Sequence, residues 1–175
     1  GGIGGKITFL QNITGLWFLQ RLMAEWADEG DEQQYEPLLA AAERAEIQTV
    51  IPVDAPEFQN PKSMQQAIRG YCERQALDVP QTKADLTRVV LQSLAAKYAE
   101  ATQALNAMLP EPIKKLHIIG GGSQNKLLNR LTQQALGIPV EAGPVEATAI
   151  GNILTQALAK GEVADIHEMR SIAIV

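Results

Sequence analysis

Apolar residues recur at helical intervals through the first two thirds of the chain, and the rhythm changes near residue 115. A short β-like run, Lys6 to Leu10, precedes Asn12-Ile13-Thr14-Gly15, whose side chains suit a helix cap. The apolar period that follows predicts a first helix to about Ala27, with Trp17 and Trp26 packed on the core. A second helix is expected over 32–45, with Leu38 and Leu39 inward. Pro52, Pro56 and Pro61 then make 49–61 a loop, because each removes a donor and restricts the residue before it.

Ser63 is expected to cap a helix through Gln75. Thr82, with Asp85 three residues on, forms a capping box for a long helix ending before Pro110. Leu86, Val90, Leu94, Tyr98, Ala101, Leu105 and Met108 predict its buried stripe. The last third predicts a strand at 115–119, a helix from Ser123 to Leu136 stopped by Gly137, a strand at 138–142 and a helix over 144–160. Strand, helix, strand, helix is the pattern of a parallel α/β unit, so the fold class is α/β with a helix-rich middle. Residues 161–175 carry no recognisable motif.

Composition narrows the functions. A 46% hydrophobic content over 175 residues supports a real core. A net charge of -5 without a basic stripe excludes a nucleic-acid binder. Cys72 is the single cysteine and reads as a small packing residue; no Cys/His spacing suits zinc. No apolar run is long enough for a membrane span, and a cytoplasmic setting is expected. The chain opens on GGIGGK without methionine and stops on SIAIV, so a fragment of a longer protein is expected.

The candidate chemistry centres on LHIIGGGSQNKLL. Glycines at a strand-to-helix junction let a backbone approach a ligand, and the unpaired N–H groups of a helix start favour phosphate. Neither familiar phosphate motif fits: Asn125 stands where a dinucleotide fingerprint needs glycine, and no Lys-Ser or Lys-Thr completes a P-loop. A nucleotide site and a plain tight turn both stay open. On the first helix, Gln20 falls among Leu16, Trp17, Ala24 and Ala27, an amide on an apolar face that needs either a core partner or a ligand. Asn12 is a cap or a ligand contact. Glu146 complements the start of the last helix, whose stripe is Ala149, Ile150, Ile153, Leu154, Ala157 and Leu158, with Ala149 and Gly151 allowing close packing. His117 and His167, without carboxylates at useful spacing, read as structural or surface residues. The acidic run 25–32 reads as a solvated turn.

Taken together, GGIGGKITFLQNITGLWFLQR and KLHIIGGGSQNKLLNRLTQQALGIPVEAGPVEATAIGN closely resemble the carboxyl-terminal half of the FGGY carbohydrate kinases, over nearly the whole chain. GGG..N and GPVEATAIGN are shared across that family, whereas NITGLW...Q points to its branch acting on L-rhamnulose. The resemblance implies a ribonuclease H-like, actin-like pair of domains, with residues 1–175 as the ATP-side domain. It implies that Gly121 contacts the nucleotide, that Gly120 and Gly122 shape the turn, that Asn125 lies near the adenosine end, that Gln20 contacts nucleotide and that Asn12 faces the sugar. ATP, Mg2+ and a ketose sugar are the implied ligands, and the amino-terminal domain of the same protein is the implied partner. The proton-accepting aspartate and a phosphate loop are expected upstream, leaving this chain inert alone. Another sugar of the family, such as xylulose or gluconate, and a non-catalytic actin-like binding domain stand as alternatives.

Overall fold

The computed structural model describes residues 12, 13 and 15–173; the expected strand at 6–10 and Thr14 lie outside them. In chain order the elements are α1 (Trp17–Asp28), α2 (Tyr35–Arg44), a short 3-10 helix (Pro56–Phe58), α3 (Met64–Arg74) and α4 (Lys83–Asn106). There follow β1 (Leu116–Ile118), a 3-10 turn (Gly121–Gln124), α5 (Lys126–Leu136), β2 (Val140–Ala142), α6 (Ala147–Lys160) and α7 (Ile166–Ala173). The described strands, β1 and β2, run parallel, with Leu116, His117 and Ile118 opposite Val140, Glu141 and Ala142. The expected strand-helix-strand-helix unit is therefore present.

Local caps fix several helix ends. The Ser63 hydroxyl accepts from Gln66 N–H at the start of α3, and Thr82 and Asp85 form the reciprocal box that opens α4. Gly137 ends α5 at φ 69°, in the left-handed region glycine favours. Within the tail expected to carry no motif, Ile166–Ala173 form α7. Asp165 accepts from the N–H groups of His167 and Glu168, while Glu168 accepts from Ala164 N–H. An Asp followed three residues later by Glu is a capping signal that the sequence did contain.

The main core joins α1, α2, α3, α4 and α5, with Leu38, Leu39 and Ala42 as the contribution of α2. Phe18, Leu22 and Trp26 are fully buried against Phe58, Met64, Ile68, Cys72 and the first half of α4, with Leu128 closing the far side. Each such side chain contributes roughly 1.5–3 kcal/mol by leaving water. A small second cluster, Leu154, Val163 and Met169, ties α6 to α7.

Several helix-face expectations fail because the neighbouring elements, not the apolar period alone, decide which positions are covered. On α1 the core face is Phe18, Leu19, Leu22 and Trp26, so Trp17, Gln20, Ala24 and Ala27 turn outward, while Leu16 is half-buried against the core. Trp17 is 38% exposed, with the Arg21 guanidinium 5.9 Å from its ring centre, and only Trp26 joins the core. The α4 stripe is too narrow at one end and too long at the other. Val89, Leu91 and Ala95 are buried as well as Leu86, Val90 and Leu94, whereas Met108 lies past the helix end and is exposed. On α6, Leu154 is buried, Ile150, Ala157 and Leu158 are half-buried, and Ala149 and Ile153 face outward.

The acidic run is not a solvated turn throughout. Glu25, still inside α1, caps α3: its carboxylate accepts from Met64 N–H at 2.5 Å, Ser63 Oγ at 3.0 Å and Gln65 N–H at 3.3 Å. Asp31 pairs with Lys83 at the start of α4.

Candidate functional site

Of the three glycines after β1, only Gly120 has a backbone reason to be glycine. Gly120 sits at φ 76° and ψ -165°, a backbone conformation that a side chain would strain. Gly121 has no such φ, and a Cβ built on it would meet nothing within 4 Å. A Cβ on Gly122 would make an ordinary 3.9 Å contact with Ile118. The turn accounts for Gly120. Neither backbone nor packing requires glycine at 121.

Polar contacts hold the turn rigidly. The Ser123 hydroxyl donates to Gly120 O at 2.7 Å, Asn129 Nδ2 donates to Ser123 O at 2.9 Å, and Gly120 N–H reaches Pro144 O at 3.2 Å. The helix expected from Ser123 instead begins at Lys126, after the 3-10 turn, because Asn125 is its N-cap: Asn125 Oδ1 accepts from Leu128 N–H at 2.9 Å. The other end of that amide donates to Tyr35 Oη at 2.9 Å, and Asn125 is fully buried.

Gly121 and Gly122 form one wall of a concavity of about 410 Å3. Gln20 lies on the opposite helix surface of the same space, with Leu16, Leu19, Met23, Tyr35 and Gln124 completing the lining. Gln20 is thus neither buried nor bonded in the core. Its outward direction follows from α1 burying the face of Phe18, Leu22 and Trp26. The described lining carries no Lys, Arg, Asp, Glu or His. Apolar side chains at one end and a glycine turn at the other suit a flat ring with polar edges better than a concentrated charge.

Tyr35 was not anticipated as part of this space. Burial pushes its phenol up, the bond from Asn125 offsets part of that, and the Glu36 carboxylate adds to it, so the hydroxyl keeps its proton. No local signal in the sequence links residues 35 and 125.

The remaining candidates lie elsewhere. Asn12 is exposed and is not in the lining of the Gln20–Gly121 space; the cap position of α1 is Leu16, without a side-chain bond, so Asn12 does not cap this helix. Asn125 shares the turn but presents no side chain to the concavity, its amide being spent on Leu128 and Tyr35. His117 gains a carboxylate that spacing did not show, since the strand register sets its Nδ1 3.6 Å from Glu141. That pair is on the surface, where a hydrogen bond from Lys115 holds the Glu141 carboxyl below its ordinary range. A larger concavity of about 770 Å3, bounded by β2, α6 and α7, includes none of the candidate nucleotide or sugar residues.

Among the described residues no group of three or more His, Cys, Asp or Glu could hold a metal ion, and no helix is long and apolar enough to cross a membrane.

Residues 1–160 match the family described as FGGY family of carbohydrate kinases, C-terminal domain. The chain is 43% identical over 173 residues to a rhamnulokinase of Bacteroides thetaiotaomicron, an alignment covering 98% of this chain and 35% of the relative. It is 43% identical over 171 residues to a rhamnulokinase of Pectobacterium carotovorum, covering 97% and 34%, and 40% identical over 172 residues to one of Yersinia pestis, covering 98% and 35%. The chain therefore spans about a third of the length of the curated relatives it matches.

Proposed function

The chain belongs to the FGGY family of carbohydrate kinases, as a carboxyl-terminal domain, and from that premise we propose that it is the nucleotide-side domain of a kinase that phosphorylates L-rhamnulose. The reaction transfers the γ-phosphoryl of ATP to the terminal hydroxyl, giving L-rhamnulose 1-phosphate. The rhamnulokinase relatives and the NITGLW...Q element support this choice of sugar.

One observation carries the reading. Gly121 is a glycine that the fold does not require, and it faces Gln20 across a single concavity. The open space beside it leaves room for a ligand to approach the backbone closely. The apolar lining favours the base and ribose of ATP, with the triphosphate passing over the N–H groups of Gly121 and Gly122 at the start of the turn. Gln20 contacts the nucleotide from α1. Gly120 and Gly122 set the path of the turn, and Asn125 holds its far end. Asn12, exposed where the chain approaches α1, contacts the sugar.

Phosphoryl transfer depends on positioning and charge stabilisation, with a carboxylate accepting the hydroxyl proton. The described lining has no carboxylate or imidazole, so the concavity positions ATP without taking the proton. That proton acceptor, and the groups other than Asn12 that contact the sugar, belong to an amino-terminal domain that closes over this one. Magnesium would be carried by the phosphates of ATP and shared with that domain, offsetting their charge. The present chain alone is inert as a kinase.

The decisive assay supplies the full-length protein with ATP, Mg2+ and L-rhamnulose, xylulose or gluconate in turn. Preferential turnover of L-rhamnulose is expected. Preference for another sugar would overturn the narrower assignment, and nucleotide binding without transfer to any of them would make the domain a binding module.

A further inference from the structure

We infer that Tyr35 is a nucleotide-positioning residue, coupling α2 to the glycine turn through the buried amide of Asn125. The inference rests on reading the Gln20–Gly121 concavity as the nucleotide site.

Asn125 Oδ1 accepts from Leu128 N–H, which fixes the amide so that Nδ2 points at Tyr35. Tyr35 Oη is therefore the acceptor in that 2.9 Å bond. Its own proton is used by no protein acceptor among the described residues, and the side chain lines the concavity. Tyr35 thus has two roles in one group. It braces the residue that ends the 121–124 turn and starts α5, and its side chain stands in the lining of the space where a nucleotide would lie.

The bracing is long-range and mechanically direct. Asn125 is the shared residue of the 3-10 turn and α5, with its N–H bonded to Gly122 O at 3.1 Å. A shift of Asn125 would move Gly122 and, with it, the wall opposite Gln20. Nothing else among its side-chain bonds links this amide to another element. Tyr35 is the first residue of α2, so the placement of that helix start bears on the turn.

Steady-state kinetics on the full-length protein test this, with Tyr35→Phe as the main variant, because it keeps the ring and removes only the hydroxyl. The expected result is a KM for ATP raised about three- to tenfold, the size expected for one lost hydrogen bond, with the sugar KM and kcat little changed and a modest drop in melting temperature, because the buried Asn125 amide loses its acceptor. Loss of an interaction made equally in ground and transition states has that signature. A KM for ATP within about twofold of the parent, or ATP and sugar constants moving together, would overturn the inference. Gly121→Val serves as the parallel control. If it weakens ATP while Tyr35→Phe does not, the site stands and the role of Tyr35 falls; if Gly121→Val leaves ATP binding intact, the site itself is misplaced and the inference falls with it.

Discussion

The Glu25 carboxylate on α1 accepts a 2.5 Å hydrogen bond from the Met64 N–H at the start of α3, so one helix supplies the cap of another. Three donors converge on this one carboxylate, from Ser63, Met64 and Gln65. An anion at a helix N-terminus meets unpaired N–H groups and the positive end of the dipole. Replacing Glu25 with Ala is expected to cost about 2 kcal/mol, and with Gln about half of that, since the amide still accepts but carries no charge. Urea unfolding of the two variants measures both. Equal stability of the parent and Glu25→Ala would show that the cap is dispensable.

Gly120 and Gly121 are expected to respond oppositely to a side chain. Gly120→Ala places a Cβ at φ 76° and should destabilise by about 1–2 kcal/mol. Gly121→Val adds bulk into open space, so thermal stability should stay near the parent value while ATP binding drops at least tenfold. Calorimetric unfolding and nucleotide titration of the full-length variants separate the two effects. Loss of fold in Gly121→Val would return that glycine to the tight-turn explanation.

Gln20 offers a complementary measurement on the facing wall. It is exposed on α1, so Gln20→Ala should leave stability within about 0.5 kcal/mol of the parent. Weakening of ATP binding by about three- to tenfold is expected from one lost hydrogen bond. Unaltered affinity would remove Gln20 from the site.

The α7 cap supplies a pH dependence. The N–H groups of Glu168 and then His167 bind the Asp165 carboxylate and hold its pKa below the ordinary range. The folded chain therefore binds this proton more weakly than the unfolded chain. The contribution to α7 is complete above the ordinary carboxylate pKa and disappears as pH falls through the lower folded value. A carboxyl carbon titration by NMR should give a midpoint below that of an unstructured aspartate, and Asp165→Ala should speed amide exchange at His167 and Glu168. An ordinary midpoint would show that the cap is not formed in solution.

Two neighbours on α6 test which part of its apolar stripe is covered. Leu154→Ala removes a buried side chain from the small α6–α7 cluster and should destabilise that unit by about 2 kcal/mol. Ile153, 66% exposed, should accept Ser at a cost below about 0.5 kcal/mol. Hydrogen exchange along α6 and α7 of the 175-residue chain reads both, and a large loss from Ile153→Ser would mean that its face is covered after all.

What the sequence by itself determined is the set of features encoded within a few residues. Ser63, the Thr82–Asp85 box and Gly137 mark helix ends because a cap bonds its own first or last turn. The change from helical periodicity to short strands marked the α/β end, and the glycines at 120–122 marked a turn where a ligand could come close. The signal for α7, Asp165 with Glu168, was equally local and was present though unused. Tertiary structure alone decided the rest. Both faces of α1 carry apolar residues, so periodicity could not choose between them; the choice of Phe18, Leu22 and Trp26 for the core is what sends Gln20 outward toward Gly121. The Glu25 cap, the His117–Glu141 pair and the Tyr35–Asn125 bond join residues from separate elements. Their geometry depends on how helices and strands are placed in space, and no short-range pattern of residues encodes that placement.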